Sequence, residues 1–148
     1  MPVDVRTEIV IARPRETVAA YAGDPSNAPE WYANILDIEW ETRPPLHEGS
    51  RIGFVARFLG RTLRYTYEVV ELAPGERLVM RTAQGPFPME TTYTWESVDE
   101  DHTRMVLRNR GEPSGFAKAG ARVLRAAMAR ANRHDLRRLK DLLETGRP

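Results

Sequence analysis

Two hydrophobic periods meet in this chain, and their meeting point limits what it can fold into. Up to Arg110 apolar residues recur mainly at every second position; over residues 114–144 they recur at the period of a helix. In that last stretch Phe116, Gly120, Val123, Leu124, Ala127, Met128, Ala131, Leu139 and Leu142 share one broad arc. Lys118, Arg122, Arg125, Arg130, Arg133, Arg137 and Lys140 take the other. Ser114 is placed to cap the helix. At 1.5 Å per residue, about 30 residues reach roughly 45 Å. A helix of this kind is not stable with its apolar arc in water, so it must lie against the rest of the chain.

What precedes it reads as a sheet. Residues 3–11 put Val3, Val5, Thr7, Ile9 and Ile11 on one face, as a half-buried strand does. Pro14 suits the first turn of a short helix and Glu16 adds favourable charge there. Asp24-Pro25 ends that helix, and Ser26 or Asn27 caps a second one running through Trp31. Strand patterns follow over 35–42, 51–59, 61–72, 77–84, 87–98 and 102–110. Pro44-Pro45, Gly60, Ala73-Pro74-Gly75-Glu76, Gly85-Pro86 and Asp99-Glu100-Asp101 separate them. Each strand has an opposite face rich in Arg, Glu and Thr, which predicts antiparallel pairing wetted on one side. The expected fold is α+β, one domain over residues 1–148. A curved antiparallel sheet of about seven strands wraps around the long C-terminal helix, with two short helices after the first strand.

Composition removes several function classes. Hydrophobic residues make up 41% and charged residues 29%, a globular balance. No apolar run is long enough for membrane insertion. The first residues lack the basic and apolar regions of a secretory signal, and there is no cysteine for a disulfide or thiolate site. These features lead to an expected cytoplasmic location. Twenty of the 22 basic residues are arginine, which points to a GC-rich bacterial source. Net charge is +1, but residues 116–148 carry nine basic and three acidic side chains, +6, leaving −5 on the rest. The basic helix face fits either an anionic partner or plain solvation; solvation is the expectation. Its arginines lack interleaved aromatics, so no nucleic-acid partner is expected. Three scattered histidines give no metal spacing, and no phosphate-binding or dinucleotide loop occurs, so neither metal nor cofactor is expected. A homodimer is left open.

Three segments carry a family resemblance. They are Ile9-Val10-Ile11-Ala12-Arg13-Pro14-Arg15-Glu16-Thr17-Val18, Asp24-Pro25-Ser26-Asn27-Ala28-Pro29-Glu30-Trp31 and Val69-Val70-Glu71-Leu72-Ala73-Pro74-Gly75-Glu76-Arg77-Leu78. With the order of elements, they resemble the START-like (SRPBCC) helix-grip superfamily, and within it the polyketide cyclase/dehydrase-like branch. The likeness covers nearly the whole chain. It implies a cavity between the long helix and the concave face of the sheet. It does not imply one activity, because carriers, sensors, cyclases and hydrolases share this fold.

Strand phase predicts the wall of that cavity. The inward face offers Trp40, Phe54, Phe58, Tyr65, Tyr67, Met80, Thr82, Met89, Thr91, Tyr93, Trp95, Met105 and Asn109. The helix adds Leu124, Ala127, Met128 and Ala131, with His134 and Arg138 near its edge and Trp31 at the mouth. The same side chains would also fill an ordinary core; the resemblance points to a cavity. The inward strand face carries no carboxylate. His134 and the inward tyrosines Tyr65, Tyr67 and Tyr93 are therefore the candidate catalytic groups. Two functions follow. One is binding of a bulky hydrophobic or aromatic small molecule, such as a lipid or polyketide, by a carrier or sensor. The alternative is a polyketide cyclase/aromatase or dehydratase using the same pocket.

Overall fold

The computed structural model describes residues 3–112 and 120–146. In chain order the elements are β1 (Val3–Ile11), α1 (Arg15–Ala22), a 3-10 turn (Pro25–Asn27), α2 (Ala28–Trp31), β2 (Ile35–Trp40), β3 (Arg51–Phe58), β4 (Arg61–Ala73), β5 (Arg77–Gln84), β6 (Met89–Asp99), β7 (His102–Gly111) and α3 (Ala121–Glu144). The seven strands form one antiparallel sheet in the order β1-β7-β6-β5-β4-β3-β2. Hairpins join β2 through β7 in sequence. The short helices carry the chain from β1 at one edge to β2 at the other. Shifts in register within β4, at Thr66/Tyr67 and Val69/Glu71, mark bulges, which bend and twist a strand. The sheet curls around α3: this is the helix-grip architecture expected from the sequence.

Three local expectations change. Residue 59 was expected in a strand, but Leu59 (φ 48°) and Gly60 (φ 78°) form the two-residue turn between β3 and β4. Two left-handed residues match the twist of a tight hairpin. The long helix starts later than its period suggests. Gly120 holds φ 78° and ψ 155°, which no helical residue adopts, so α3 begins at Ala121. Its 24 residues span about 36 Å. The expected cap Ser114, with Phe116 and Lys118, lies outside the described residues. Val123, placed on the apolar arc by the sequence, is 56% exposed.

The buried stripe of α3 is Leu124, Asn132, Asp135, Leu136, Leu139 and Leu143. Leu136, Leu139 and Leu143 join the main core with Ile11, Val18, Trp31, Trp95 and Met105. Leu124 joins a separate small cluster with Val3, Val5, Leu63 and Phe87. The C-terminal half of α3 is also tied down by polar bonds. Lys140 Nζ donates to Val10 O at 3.0 Å, Ala12 N to Glu144 Oε2 at 2.7 Å and Arg138 Nε to Glu30 O at 2.6 Å. Asn132 and Asp135 lie between the two apolar clusters.

The outer face of the sheet carries cross-strand ion pairs. Arg81 and Arg110 both bond Glu90 at 2.6 Å, and Arg108 grips both oxygens of Asp4. Exposed pairs like these contribute little each, but they keep that face polar. Among the described residues no helix is long and apolar enough to cross a membrane.

Candidate functional site

The gap between the two clusters is a cavity of about 160 Å³. Its floor comes from the concave sheet: Phe54 and Phe58 on β3, Leu63, Tyr65 and Tyr67 on β4, Met80 on β5, Thr91 and Tyr93 on β6, and Asn109 on β7. Its roof is Leu124, Met128, Ala131, Asn132 and Asp135 of α3. Tyr32, Asn34 and Ile35, between α2 and β2, close one end; Val3 and Phe87 also line the wall.

Aromatic contacts set the shape of the floor. The rings of Phe54 and Tyr65 stack at 5.3 Å, and Tyr67 meets both edge-on, at 5.7 and 5.0 Å. Behind Tyr93 stand Trp31 and Trp95, each 5.9 Å away between centroids. These offset and edge-on arrangements are the favoured ones for aromatic pairs.

The polar groups of the wall form short chains. Thr91 donates to Asn109 Oδ1 at 2.8 Å, and Oδ1 is an acceptor only. The Thr91 proton is therefore spent, and in its 2.8 Å bond with Thr91 it is Tyr67 that donates. Tyr32 Oη and Tyr93 Oη stand 2.7 Å apart. One phenol of that pair gives its proton to the other and leaves one O–H for the cavity. Asp135 Oδ1 accepts from Ala33 N at 3.0 Å.

Burial shifts these groups in a consistent direction. It disfavours the charged form, so the Tyr67 phenol is pushed up to about 12. Tyr32, Tyr65 and Tyr93 rise as well, first through burial; neighbouring phenols raise Tyr32 and Tyr65 further, while the bond with Tyr32 works against the rise of Tyr93. All four are protonated near neutral pH and serve as hydrogen-bond donors or acids. Burial also raises Asp135, against the lowering effects of Ala33 N and His134.

Of the residues named from sequence, the cavity brings together Phe54, Phe58, Tyr65, Tyr67, Met80, Met89, Thr91, Tyr93, Asn109, Leu124, Met128 and Ala131. Eight others lie elsewhere, among them Arg138, which bonds Glu30 O. Trp31 is fully buried, behind Tyr93 rather than at a mouth, and Trp95 and Met105 are in the main core. Trp40 donates Nε1 to Ser26 Oγ at 2.9 Å and borders a surface groove beside α1. Thr82 spends its hydroxyl on the backbone of Met89. Ala127 is half-buried on α3 away from the lining. The His134 side chain is 62% exposed, with Nδ1 3.6 Å from Asp135 Oδ1. It borders the cavity only through that carboxyl.

Sequence reasoning missed Tyr32, Asn34, Asn132 and Asp135. The absence of carboxylates expected for the inward strand face does hold there; the carboxylate comes from the helix. A signal was available: Asn132 and Asp135 are polar residues in phase with Leu124, Met128 and Leu139. Among the described residues no cluster of His, Cys, Asp or Glu is placed to hold a metal.

Comparison with known proteins agrees with this architecture. A family profile described as polyketide cyclase / dehydrase and lipid transport matches residues 2–144. TTHA0849 from Thermus thermophilus superposes with a TM-score of 0.82 at 22% identity, covering 98% of this chain and 99% of that one. The Zhui aromatase/cyclase from Streptomyces sp. R1128 gives 0.79 at 16%, covering 97% and 94%. A START superfamily protein from Mycobacterium smegmatis gives 0.82 at 16%, covering 96% and 97%. Identities this low speak for the fold alone. No curated protein matches the chain.

Proposed function

The chain belongs to the polyketide cyclase/dehydrase and lipid transport family, and from that premise we propose that it binds a hydrophobic or aromatic small molecule in the cavity under α3. The observation that carries this reading is a gap of about 160 Å³ with aromatic and aliphatic walls and a few polar groups among them. A well-packed domain does not leave such a gap in its core without a use for it. Volume also speaks to ligand size. A cavity of about 150 Å³ accepts one benzene-sized molecule. The space therefore favours one ring with short substituents over the bulky ligand expected from the sequence. The test is calorimetry and thermal shift with a panel of single-ring aromatic compounds, on wild type and on Ala131→Trp, which fills the cavity from the roof. Binding should raise the melting temperature of the wild type and vanish in the variant. Failure of every compound to bind, or undiminished binding by the variant, refutes the reading.

A second reading, polyketide cyclase or dehydratase, is supported by the carboxyl and phenols that share the cavity. In it the Asp135 carboxylate takes a proton from the carbon between two ligand carbonyls. The resulting enolate carbon bonds to a further carbonyl, whose oxygen receives a phenol proton from the Tyr32–Tyr93 pair. Loss of water then returns the protons. Tyr65 and Tyr67 are further candidates as acids, and His134 acts in this reading through Asp135. Mass spectrometry with a poly-β-ketone mimic separates the readings: a binder returns it unchanged, and a cyclase yields a product lighter by one water. Tyr93→Phe or Asp135→Asn should then cut turnover about a hundredfold, the scale of losing a general acid or base.

A further inference from the structure

The cavity wall holds a hydrogen-bond donor with nothing to donate to. Along α3 the lining runs Leu124, Met128, Ala131, Asn132, Asp135, about 16 Å of helix. At the Leu124 end it meets Val3, Leu63 and Phe87, with Asn109 alongside on β7. Towards Asp135 it meets Tyr32 and the phenol of Tyr93. Three buried nitrogens have no partner among the described residues: Trp31 Nε1, Trp95 Nε1 and Asn132 Nδ2. Only Asn132 lines the cavity, and it is 5% exposed. A buried amide N–H left unpaired is destabilising, and native proteins rarely keep one without a use.

The neighbouring polar groups bond one another and none of them bonds this amide. Asp135 Oδ1 is taken by Ala33 N, Tyr32 and Tyr93 bond each other, and Tyr67, Thr91 and Asn109 form a closed chain. We propose that Asn132 is the specificity-determining residue of the cavity, donating Nδ2–H to the carbonyl oxygen of a neutral aromatic ketone or related carbonyl compound. This rests on the cavity being a ligand site, as argued above. The ring of the ligand lies on the stacked Phe54–Tyr65 floor under Met128, and its carbonyl points along α3 towards Asn132. A carboxylate is disfavoured, because Asp135 follows Asn132 by three residues on the same helix face. Two arginines border the cavity: Arg110 is held by Glu90, and Arg57 is exposed to solvent. A pure hydrocarbon leaves the amide unpaired, and a site built to hydrogen-bond its ligand discriminates against such an analogue.

The experiment measures the affinities of acetophenone, of isopropylbenzene (the same shape without the acceptor) and of benzoate. Wild type is compared with Asn132→Leu, whose side chain has the same number and branching of heavy atoms but no donor. The ratio of isopropylbenzene to acetophenone dissociation constants should be at least tenfold higher in the wild type than in the variant. Taking this ratio between proteins cancels the different hydrophobicity of the two ligands. Benzoate should bind the wild type more weakly than acetophenone. Should Asn132→Leu not fold, the carbonyl stretch of acetophenone bound to the wild type supplies the answer. It should lie below its value in hexane, as donation from an N–H requires. A ratio unchanged by the substitution, a carbonyl stretch equal to that in hexane, or benzoate binding as tightly as acetophenone overturns the inference and leaves the ligand site standing. If neither neutral ligand binds the wild type, both this inference and the ligand reading fall.

Discussion

The Tyr32–Tyr93 bond is the contact whose energy the structure defines most clearly. Tyr93 is 5% exposed, and its hydroxyl lies 2.7 Å from that of Tyr32. Tyr93→Phe keeps the ring against Trp31 and Trp95 and removes only the oxygen, leaving the Tyr32 hydroxyl without its partner. An unsatisfied buried group costs about 1–3 kcal/mol; the cavity beside it can hydrate the phenol, so the lower half, about 1.5 kcal/mol, is expected. For a chain of this length that lowers the melting temperature by about 3–6 °C. Tyr32→Phe should cost a similar amount for the same reason. The double variant removes both partners and leaves nothing unpaired, so it should cost about 1 kcal/mol less than the sum of the singles. Urea unfolding of all four proteins, followed by tryptophan fluorescence, measures this cycle, and Trp31 and Trp95 report directly on the packing behind Tyr93. Additivity within about 0.3 kcal/mol would show that the two hydroxyls do not bond.

Three further outcomes follow from individual residues. Burial raises Asp135 above its ordinary value of 3.8, so the stability linked to it is full below that pH and is lost as pH rises through the raised value. Asp135→Asn keeps an acceptor for Ala33 N and should gain on the wild type as pH rises from 3.8 towards neutrality; a difference between the two that stays flat over that range would contradict this. Gly120, at φ 78° and ψ 155°, occupies a region open essentially to glycine, so Gly120→Ala should cost about 1–3 kcal/mol in urea unfolding although its Cβ meets no neighbour among the described residues. Arg122, Arg125, Arg133 and Arg137 are all exposed, and anisotropy titration with duplex or single-stranded nucleic acid should show no binding at physiological salt; salt-sensitive binding lost on changing them to glutamate would make that face a nucleic-acid site.

Strand phase told which face a residue occupies but not how far along the sheet it sits. Thr91, Trp95 and Met105 share the concave face. Thr91 nevertheless borders the cavity, whereas Trp95 and Met105 are sealed into the core at the end of the sheet covered by α1. Depth along a strand depends on which helix lies over it, and no period encodes that. Counting apolar residues on α3 also discarded Asn132 and Asp135, because a polar residue on a buried stripe is a poor core residue. It is tolerated beside a cavity, so such an interruption is itself a marker. Tyr32 was invisible for a different reason: it follows α2 in extended backbone, where neither helical nor strand spacing assigns a direction. Gly120 on the apolar arc was legible as a small residue but not as a break, because its effect lies in φ and not in volume.

The pairing of β1 with β7, from Val3↔Gly111 to Ile11↔Thr103, bears on how the molecule is made. β1, made before the other strands of this sheet, gains its neighbour β7 only after about a hundred further residues have been synthesised. The hairpins from β2 to β7 form from local contacts and can assemble early. β1 must wait, with Val3, Val5 and Ile11 unburied, and α3 then closes over it last. A nascent chain arrested before β7 therefore carries an unpaired apolar strand, the kind of segment that chaperones hold and that aggregates when they do not.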